Sequence, residues 1–239
     1  MQDRRIPQNG RKIPAHRTSE NVKLAFIMTY RLFSNICLIS CFSGVLLAST
    51  TNAQPSDFEE RQLAFRALKD SVFFNPETSP LSEESLAEFS GLPYFEPDTA
   101  FVVNARFEPS DSTEIVEMPT TTERIARYRV EGILHFELKG EPCSLKVYRN
   151  MSIAPALQKR SDIPLFLPFT DLSNGESTYG GGRYMDVQPS GDSVWILDFN
   201  QSYHPYCAYN PRYSCPIPPR ENHLPVEVCA GIKLMETKK

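Results

Sequence analysis

The amino-acid sequence predicts a mainly β fold, a single antiparallel β-sandwich or partly closed barrel preceded by two short N-terminal helices. Three observations predict it. From Ala100 onward the apolar period is two: Tyr128, Val130, Leu134, Phe136 and Leu138 alternate with Arg127, Arg129, Glu131, His135 and Glu137. Turn-forming residues punctuate that alternation at Gly140-Glu-Pro142, Asn174-Gly175 and Ser190-Gly191. Helical spacing is confined to the chain before residue 92. Closely spaced strands that follow two helices, with no helices between them, belong to an antiparallel sheet.

The first helix is expected over residues 57–71. Ser56-Asp-Phe-Glu59 forms the S-x-x-E capping box, in which the Ser hydroxyl takes one orphan N–H and the Glu reaches back to another. Phe58, Ala64, Phe65 and Leu68 then supply an apolar stripe among Glu60, Arg61, Arg66 and Lys69. Asn75-Pro76 and Ser79-Pro80 break this helix, since proline lacks the N–H and pushes its predecessor out of the helical region. A second, short helix starts at Leu81-Ser82, with Leu81 and Leu86 placed as a hydrophobic staple and Gly91 placed to end it. Strands are expected at residues 100–107, 114–118, 127–138, 143–148, 165–169, 183–187, 194–200 and 226–234. Between the last two lies Gln201–Pro225, a long loop with six prolines whose tyrosines argue against disorder. A loop of that length inside a compact domain is either functional or a packed Ω-type loop.

The first 53 residues differ from the rest. Residues 1–27 read as a non-structural extension, polar and basic without an apolar period. Residues 28–53 read as a signal peptide: Arg31 stands ahead of the apolar run Ile36–Leu47, and Ser49-Thr-Thr-Asn-Ala53 offers small residues for cleavage. That run is twelve residues, broken by Ser40, Ser43 and Gly44, against the roughly 20 of a spanning helix. Leu38-Ile39-Ser40-Cys41 resembles a lipidation box, but the apolar run continues past the cysteine instead of turning polar. The expectation is therefore a single mostly-β domain at 54–239, exported to the periplasm or the extracellular space, with no transmembrane span after processing.

Removal of residues 1–53 takes away seven Lys/Arg and two Asp/Glu. The remaining 18 basic and 27 acidic residues carry a formal charge of −9. Such a domain repels phosphate backbones, which excludes nucleic acid as a natural partner. Four cysteines remain, at 143, 207, 215 and 229, and export makes disulfides chemically permissible.

Candidate functional residues concentrate between Leu165 and Asn222. Tyr179-Gly-Gly-Gly-Arg183-Tyr184 allows two readings. Glycines let a ligand approach while a fixed guanidinium receives a carboxylate or phosphate; or they form a tight strand entry and Arg183 pairs with a buried acid, for which Asp198 is the expected partner. Asp198-Phe199-Asn200 ends a strand, and alternation sets Asp198 and Asn200 on the same face as Ile196, read here as the core face. Its carboxylate is either satisfied there or held as a proton-transfer group. Tyr203, Tyr206, Tyr209 and Tyr213 offer either a stacking platform for a sugar or a set of rings that fix the loop. His204, Cys207, Cys215 and His223 contain four good zinc ligands at a spacing that matches no common module; the competing readings are a Cys207–Cys215 disulfide and free thiols. No P-loop, dinucleotide fingerprint, H-E-x-x-H or nucleophile elbow occurs, so no cofactor is expected.

Three elements in combination, Thr178-Tyr179…Arg183-Tyr184, Asp198-Phe-Asn200…Tyr203…Cys207-Ala-Tyr209 and Cys215-Pro-Ile-Pro218 leading to Asn222, resemble the domain of unknown function 1684 family. The resemblance extends from Ser79-Pro80-Leu81 to the Ala230-Gly231 tail and implies no activity, since that family has none established. Its tail usually reads Ala-Gly-Glu-Lys, where this chain has Ala230-Gly231-Ile232-Lys233.

The resulting expectation is an exported β-domain that binds a small polar ligand, a saccharide or a carboxylate, at Tyr179, Arg183, Asp198, Asn200, Tyr203, Tyr209 and Asn222. Two alternatives stand beside it. One is a hydrolytic or metal-assisted enzyme with Asp198 or Glu221 as general base and Arg183 holding an oxyanion. The other is a purely structural envelope protein.

Overall fold

The computed structural model describes residues 56–154 and 163–234, all within one unit that spans residues 53–239. The expected extension and signal peptide lie outside the described residues. Helix α1 covers Asp57–Phe74 and carries the expected capping box: Ser56 Oγ accepts the Glu59 N–H and Glu59 Oε2 accepts the Ser56 N–H. Helix α2, Glu83–Ala87, is capped by Ser82 and ends at Glu88, before Gly91. Leu81 and Leu86 join Phe73, Phe89, Leu92 and Ile232 in one cluster.

The face that α1 turns to the domain is not the expected apolar stripe. Of that stripe, Ala64 and Leu68 are exposed, Leu68 at 64%, and Phe58 and Phe65 are only half-buried, whereas Gln62 is 1% exposed. The helix docks instead through Gln62, Arg66, Lys69, Asp70 and Phe73, which recur every three or four residues. Gln62 Nε2 donates to Asp198 Oδ2 at 2.6 Å, Arg66 Nη2 to the Phe95 carbonyl at 2.6 Å, and Asp70 Oδ1 accepts the Leu92 N–H at 3.0 Å. The surface beneath presents polar groups that need partners, so polar side chains do the docking.

Seven strands follow: β1 Val102–Pro109, β2 Ile115–Pro119, β3 Ile125–Leu138, β4 Glu141–Asn150, β5 Leu165–Phe169, β6 Arg183–Val187 and β7 Val194–Asp198. They form one antiparallel sheet in the order β6-β5-β4-β3-β1-β7, with β2 beside β3 off that path, and the sheet curls into a half-barrel. Strand β3 makes the bend. Its first half pairs with β2 up to Ile115↔Arg129, its second with β1 from Pro109↔Gly132, and the β3–β4 register shifts between Val130 and Gly132. A Cβ on Gly132 would stand 2.3 Å from Phe107 Cε2 and 2.5 Å from the Glu108 carbonyl oxygen, so the bend needs a residue without a side chain.

The inner surface is apolar, with Leu134, Leu138, Val147, Leu167, Phe169 and Leu197 among its buried members. In β7 the inward residues are Trp195 and Leu197, while Ile196 is 69% exposed. The face expected to be core is therefore the outer one, and it is at Asp198 that Gln62 meets it. A 3₁₀ turn at Phe199–Gln201 ends the alternation, so Asn200 does not share the Asp198 face by strand geometry.

Residues 226–234 are not a strand. Val226, Val228, Ala230 and Ile232 are buried in the expected alternation, but this segment enters only one isolated bridge, Tyr94↔Ile232. Its backbone groups are satisfied piecemeal: the Leu172 N–H reaches the Val226 carbonyl, Asp171 Oδ1 takes the Val228 N–H, and Ser202 takes the Ile232 N–H. The loop 201–225 is packed rather than open, held by the Tyr184↔Tyr203 and Thr120↔Pro216 bridges.

Candidate functional site

Arg183 lies at the start of β6, after a Gly run whose last member, Gly182, has φ +88°. A Cβ there would sit 2.6 Å from the Phe169 carbonyl oxygen, so the glycine is a packing requirement. The expected partner, Asp198, is not the actual one. Arg183 Nη2 donates to Asp171 Oδ2 at 2.8 Å and to the Val228 carbonyl at 2.7 Å, and Nη1 donates to the Ala230 carbonyl at 2.6 Å. Both charged side chains have 0% exposure. Asp171 comes from the turn after β5, and its other oxygen accepts the Ser173 and Val228 N–H groups. The guanidinium is thus spent on carbonyls that no strand pairs. With no exposure left, it cannot hold a substrate oxyanion.

Asp198, Asn200 and Asn222 are placed as braces. Asp198 Oδ2 receives Gln62, and Oδ1 receives the Asn200 N–H and side-chain amide. Asn200, fully buried, exchanges hydrogen bonds with both backbone groups of Asp98. Asn222 does the same for Lys146 on β4 and also donates to the Pro168 carbonyl on β5 at 2.7 Å.

The aromatic candidates go elsewhere. A cavity of about 560 Å³ opens between α1, the outer edge of β6 and the Gln201–Pro225 loop. Tyr203, Tyr206, Tyr209 and Tyr213 line it, and Tyr184 from β6 completes a set of five tyrosines. Phe73, Leu92 and Ile232 add apolar surface. Ile232, the position at which the tail departs from the family pattern, is 1% exposed. Tyr209 meets Phe73 edge-on with centroids 4.8 Å apart, and Tyr206 meets Tyr213 at 5.3 Å. Two charged residues face this space. Lys69 Nζ stands 3.7 Å from the centroid of the Tyr203 ring, and Asp186 Oδ1 accepts the Tyr203 hydroxyl at 2.9 Å. Neither was legible in the sequence, because Lys69 reads as solvent-facing on an amphipathic helix and Asp186 as the exposed position of a strand.

Burial sets the protonation states here. It pushes the Tyr203 and Tyr209 hydroxyls upward, Asp186 adding to the effect at Tyr203, and lowers the Lys69 ammonium, which Asp186 partly restores. His204 lines the cavity and is pushed down to about 3, by burial first and by the nearby Arg183 charge second. Its Nε2 accepts the Tyr179 N–H at 3.1 Å, so the neutral ring carries its proton on Nδ1. Tyr179 stands beside this cavity, its hydroxyl 4.0 Å from Cys207 Sγ.

The expected disulfide is not formed: Cys207 and Cys215 are free thiols. The 3₁₀ turn at Tyr206–Ala208 directs the Cys207 thiol toward Tyr179, and Cys215 Sγ accepts the Cys207 N–H at 3.2 Å. Burial pushes the Cys215 thiol up to about 11. The zinc alternative finds no gathered ligand set. His223 Nδ1 is 3.0 Å from Thr170 Oγ1, His204 serves Tyr179, and among the described residues no group of three or more His, Cys, Asp or Glu could hold a metal.

The curled antiparallel sheet with few helices makes this a mainly β domain of half-barrel form. The family described as protein of unknown function (DUF1684) matches residues 87–233, and the chain belongs to it. It is also similar to the solution NMR structure of an uncharacterized protein from gene locus rrnAC0354 of Haloarcula marismortui. The two are 36% identical, with 74% of this chain and 95% of that one covered at a TM-score of 0.60. The comparison with curated proteins returns no match.

Two outcomes follow from this geometry. Arg183→Met leaves Asp171 as an unpaired buried carboxylate and strips donors from Val228 and Ala230; urea denaturation should show a loss of about 3–5 kcal/mol. His204 has a folded pKa below its unfolded one, so the unfolded state binds the extra proton as pH falls. Its contribution is complete above pH 6.5 and is lost on acidification toward about 3, at up to roughly 1.4 kcal/mol per pH unit. A urea midpoint measured from pH 7 to 4 should fall less steeply in His204→Gln than in the parent.

Proposed function

We propose that this chain is an exported binding protein that takes a small polar ligand, a saccharide or a carboxylate, in the tyrosine-lined cavity. One observation carries the reading: five tyrosines converge on a space of about 560 Å³ that also holds one cationic and one anionic side chain. Rings supply flat surfaces for stacking, while hydroxyls, the Lys69 ammonium and the His204 Nδ1–H supply a few fixed polar contacts, the usual make-up of a small-molecule site. The cavity lies away from Arg183, Asp198, Asn200 and Asn222. The binding residues in this reading are therefore Tyr203 and Tyr209 from the original candidates, with Tyr179 behind them through His204. Asp198 and Glu221 do not line the cavity, and Glu221 is engaged by Lys146 Nζ at 3.0 Å, which argues against the hydrolytic alternative.

Export rests on the N-terminal pattern of residues 28–53. Among the described residues no helix is long and apolar enough to cross a membrane. Intact-mass analysis of protein recovered from outside the cytoplasm should lack residues 1–53, and recovery of the whole chain from the cytoplasm would reject export. Binding is tested by thermal shift of the purified protein against neutral sugars and monocarboxylates, since a ligand specific to the native state raises its melting temperature. Tyr206 is 39% exposed. Tyr206→Ala should keep stability within about 1 kcal/mol and remove the shift. A purely structural protein would show no shift with any compound.

A further inference from the structure

We infer that the cavity ligand is a monocarboxylate with a flat, largely apolar body, its carboxylate seated on Lys69 and its body among the loop tyrosines; the inference rests on the cavity being a binding site at all. Among the described residues Lys69 is the only cationic residue lining that space and Asp186 the only anionic one. Their situations differ. Asp186 receives the Tyr203 hydroxyl at 2.9 Å. Lys69, by contrast, has no carboxylate within ion-pair distance among the described residues; its ammonium stands over the Tyr203 ring at 3.7 Å and near the Phe65 ring at 5.3 Å. A half-buried cation that touches ring faces and feels Asp186 only at a distance has hydrogen-bonding capacity left over, because an ammonium carries three donors and a π-face satisfies none of them as a carboxylate oxygen does.

The remaining polar groups fit the same ligand. The His204 Nδ1–H is a neutral donor without a protein partner among the described residues, and it lines the same cavity. Apart from Ser214, the other surfaces are apolar side chains, a thiol and tyrosine rings, and the Tyr184 and Tyr203 hydroxyls already serve the Pro216 carbonyl and Asp186, so few groups are left for the many hydroxyls of a sugar. A phosphate fits poorly as well. It prefers a bidentate guanidinium or a nest of backbone N–H groups, and Asp186, which opposes any anion here, opposes a dianion about twice as strongly as a monocarboxylate. Burial already lowers the Lys69 ammonium, and a ligand carboxylate would offset that penalty.

Isothermal titration of the full chain with benzoate, benzamide, methyl glucoside and inorganic phosphate tests this directly. Benzoate and benzamide share a body and differ in charge, so wild-type protein should bind benzoate at least about tenfold more tightly. Lys69→Met should remove that preference while leaving benzamide unchanged, and Lys69→Arg should retain it. Equal affinity for the two probes, tighter binding of phosphate, or a preference that survives Lys69→Met would overturn the carboxylate assignment. Because the wild-type comparison stands without any variant, misfolding of Lys69→Met would not rescue the idea. Binding of benzamide or the glucoside alone would sink this inference and keep the cavity as a site. No heat with any of the four would sink the binding reading and the inference together.

Discussion

One buried ion pair organises the carboxyl-terminal third of the described domain. Residues 226–232 fill the half-barrel with apolar side chains but have no strand beside them, and buried carbonyls without partners are expensive. Arg183 solves that problem with a side chain, donating to the Val228 and Ala230 carbonyls while Asp171 neutralises its charge. Asp171 in turn takes the Val228 N–H. The pair is therefore better understood as a replacement for a missing strand than as an electrostatic bond. Burying a guanidinium is repaid only where every neighbour uses its donors. Only Nε of Arg183 lacks a partner.

The same logic operates on α1. A helix that docked through leucines could slide, since apolar contacts are not directional. Here Gln62, Arg66 and Asp70 each meet a specific polar atom, which fixes the helix in rotation and along its axis. Lys69 lies on that fixed face, so its position over Tyr203 follows from three anchors that are not part of the cavity. The braces at Asp198 and Asn200 serve the cavity in this indirect way, which explains why the densest motif in the sequence and the tyrosine-lined cavity are neighbours and not the same place.

What could be read from the sequence was whatever depends on neighbours along the chain. Strands β5 and β6 fall at the residues where alternation put them, and the capping box at Ser56 is present atom for atom. Most of the readings that differ concern distant partners. Alternation at Val226, Val228 and Ala230 reports burial, and burial does not say whether a strand or a guanidinium sits opposite. Ile196 reads as inward because it is apolar, yet the β7 register sets Trp195 and Leu197 there. The partner of Arg183 lay in the unremarkable turn at Asp171, twelve residues earlier. Of the cavity, its tyrosines, His204 and Cys215 are visible in the sequence; Lys69 is more than a hundred residues from them, and no local pattern joins it to the rest.

The partners of Arg183 also set an order of assembly. Asp171 is close in sequence, but the carbonyls of Val228 and Ala230 lie 45 and 47 residues away, beyond the whole proline-bearing loop. A charged side chain cannot leave water until those carbonyls arrive, and closing so long a loop is slow compared with pairing adjacent strands. The sheet from β3 to β6 can therefore form early while its concave side stays wet. Withdrawal of Arg183 from water then becomes the step that seals the domain, and the chain keeps an open, solvated interior until most of its length has been placed.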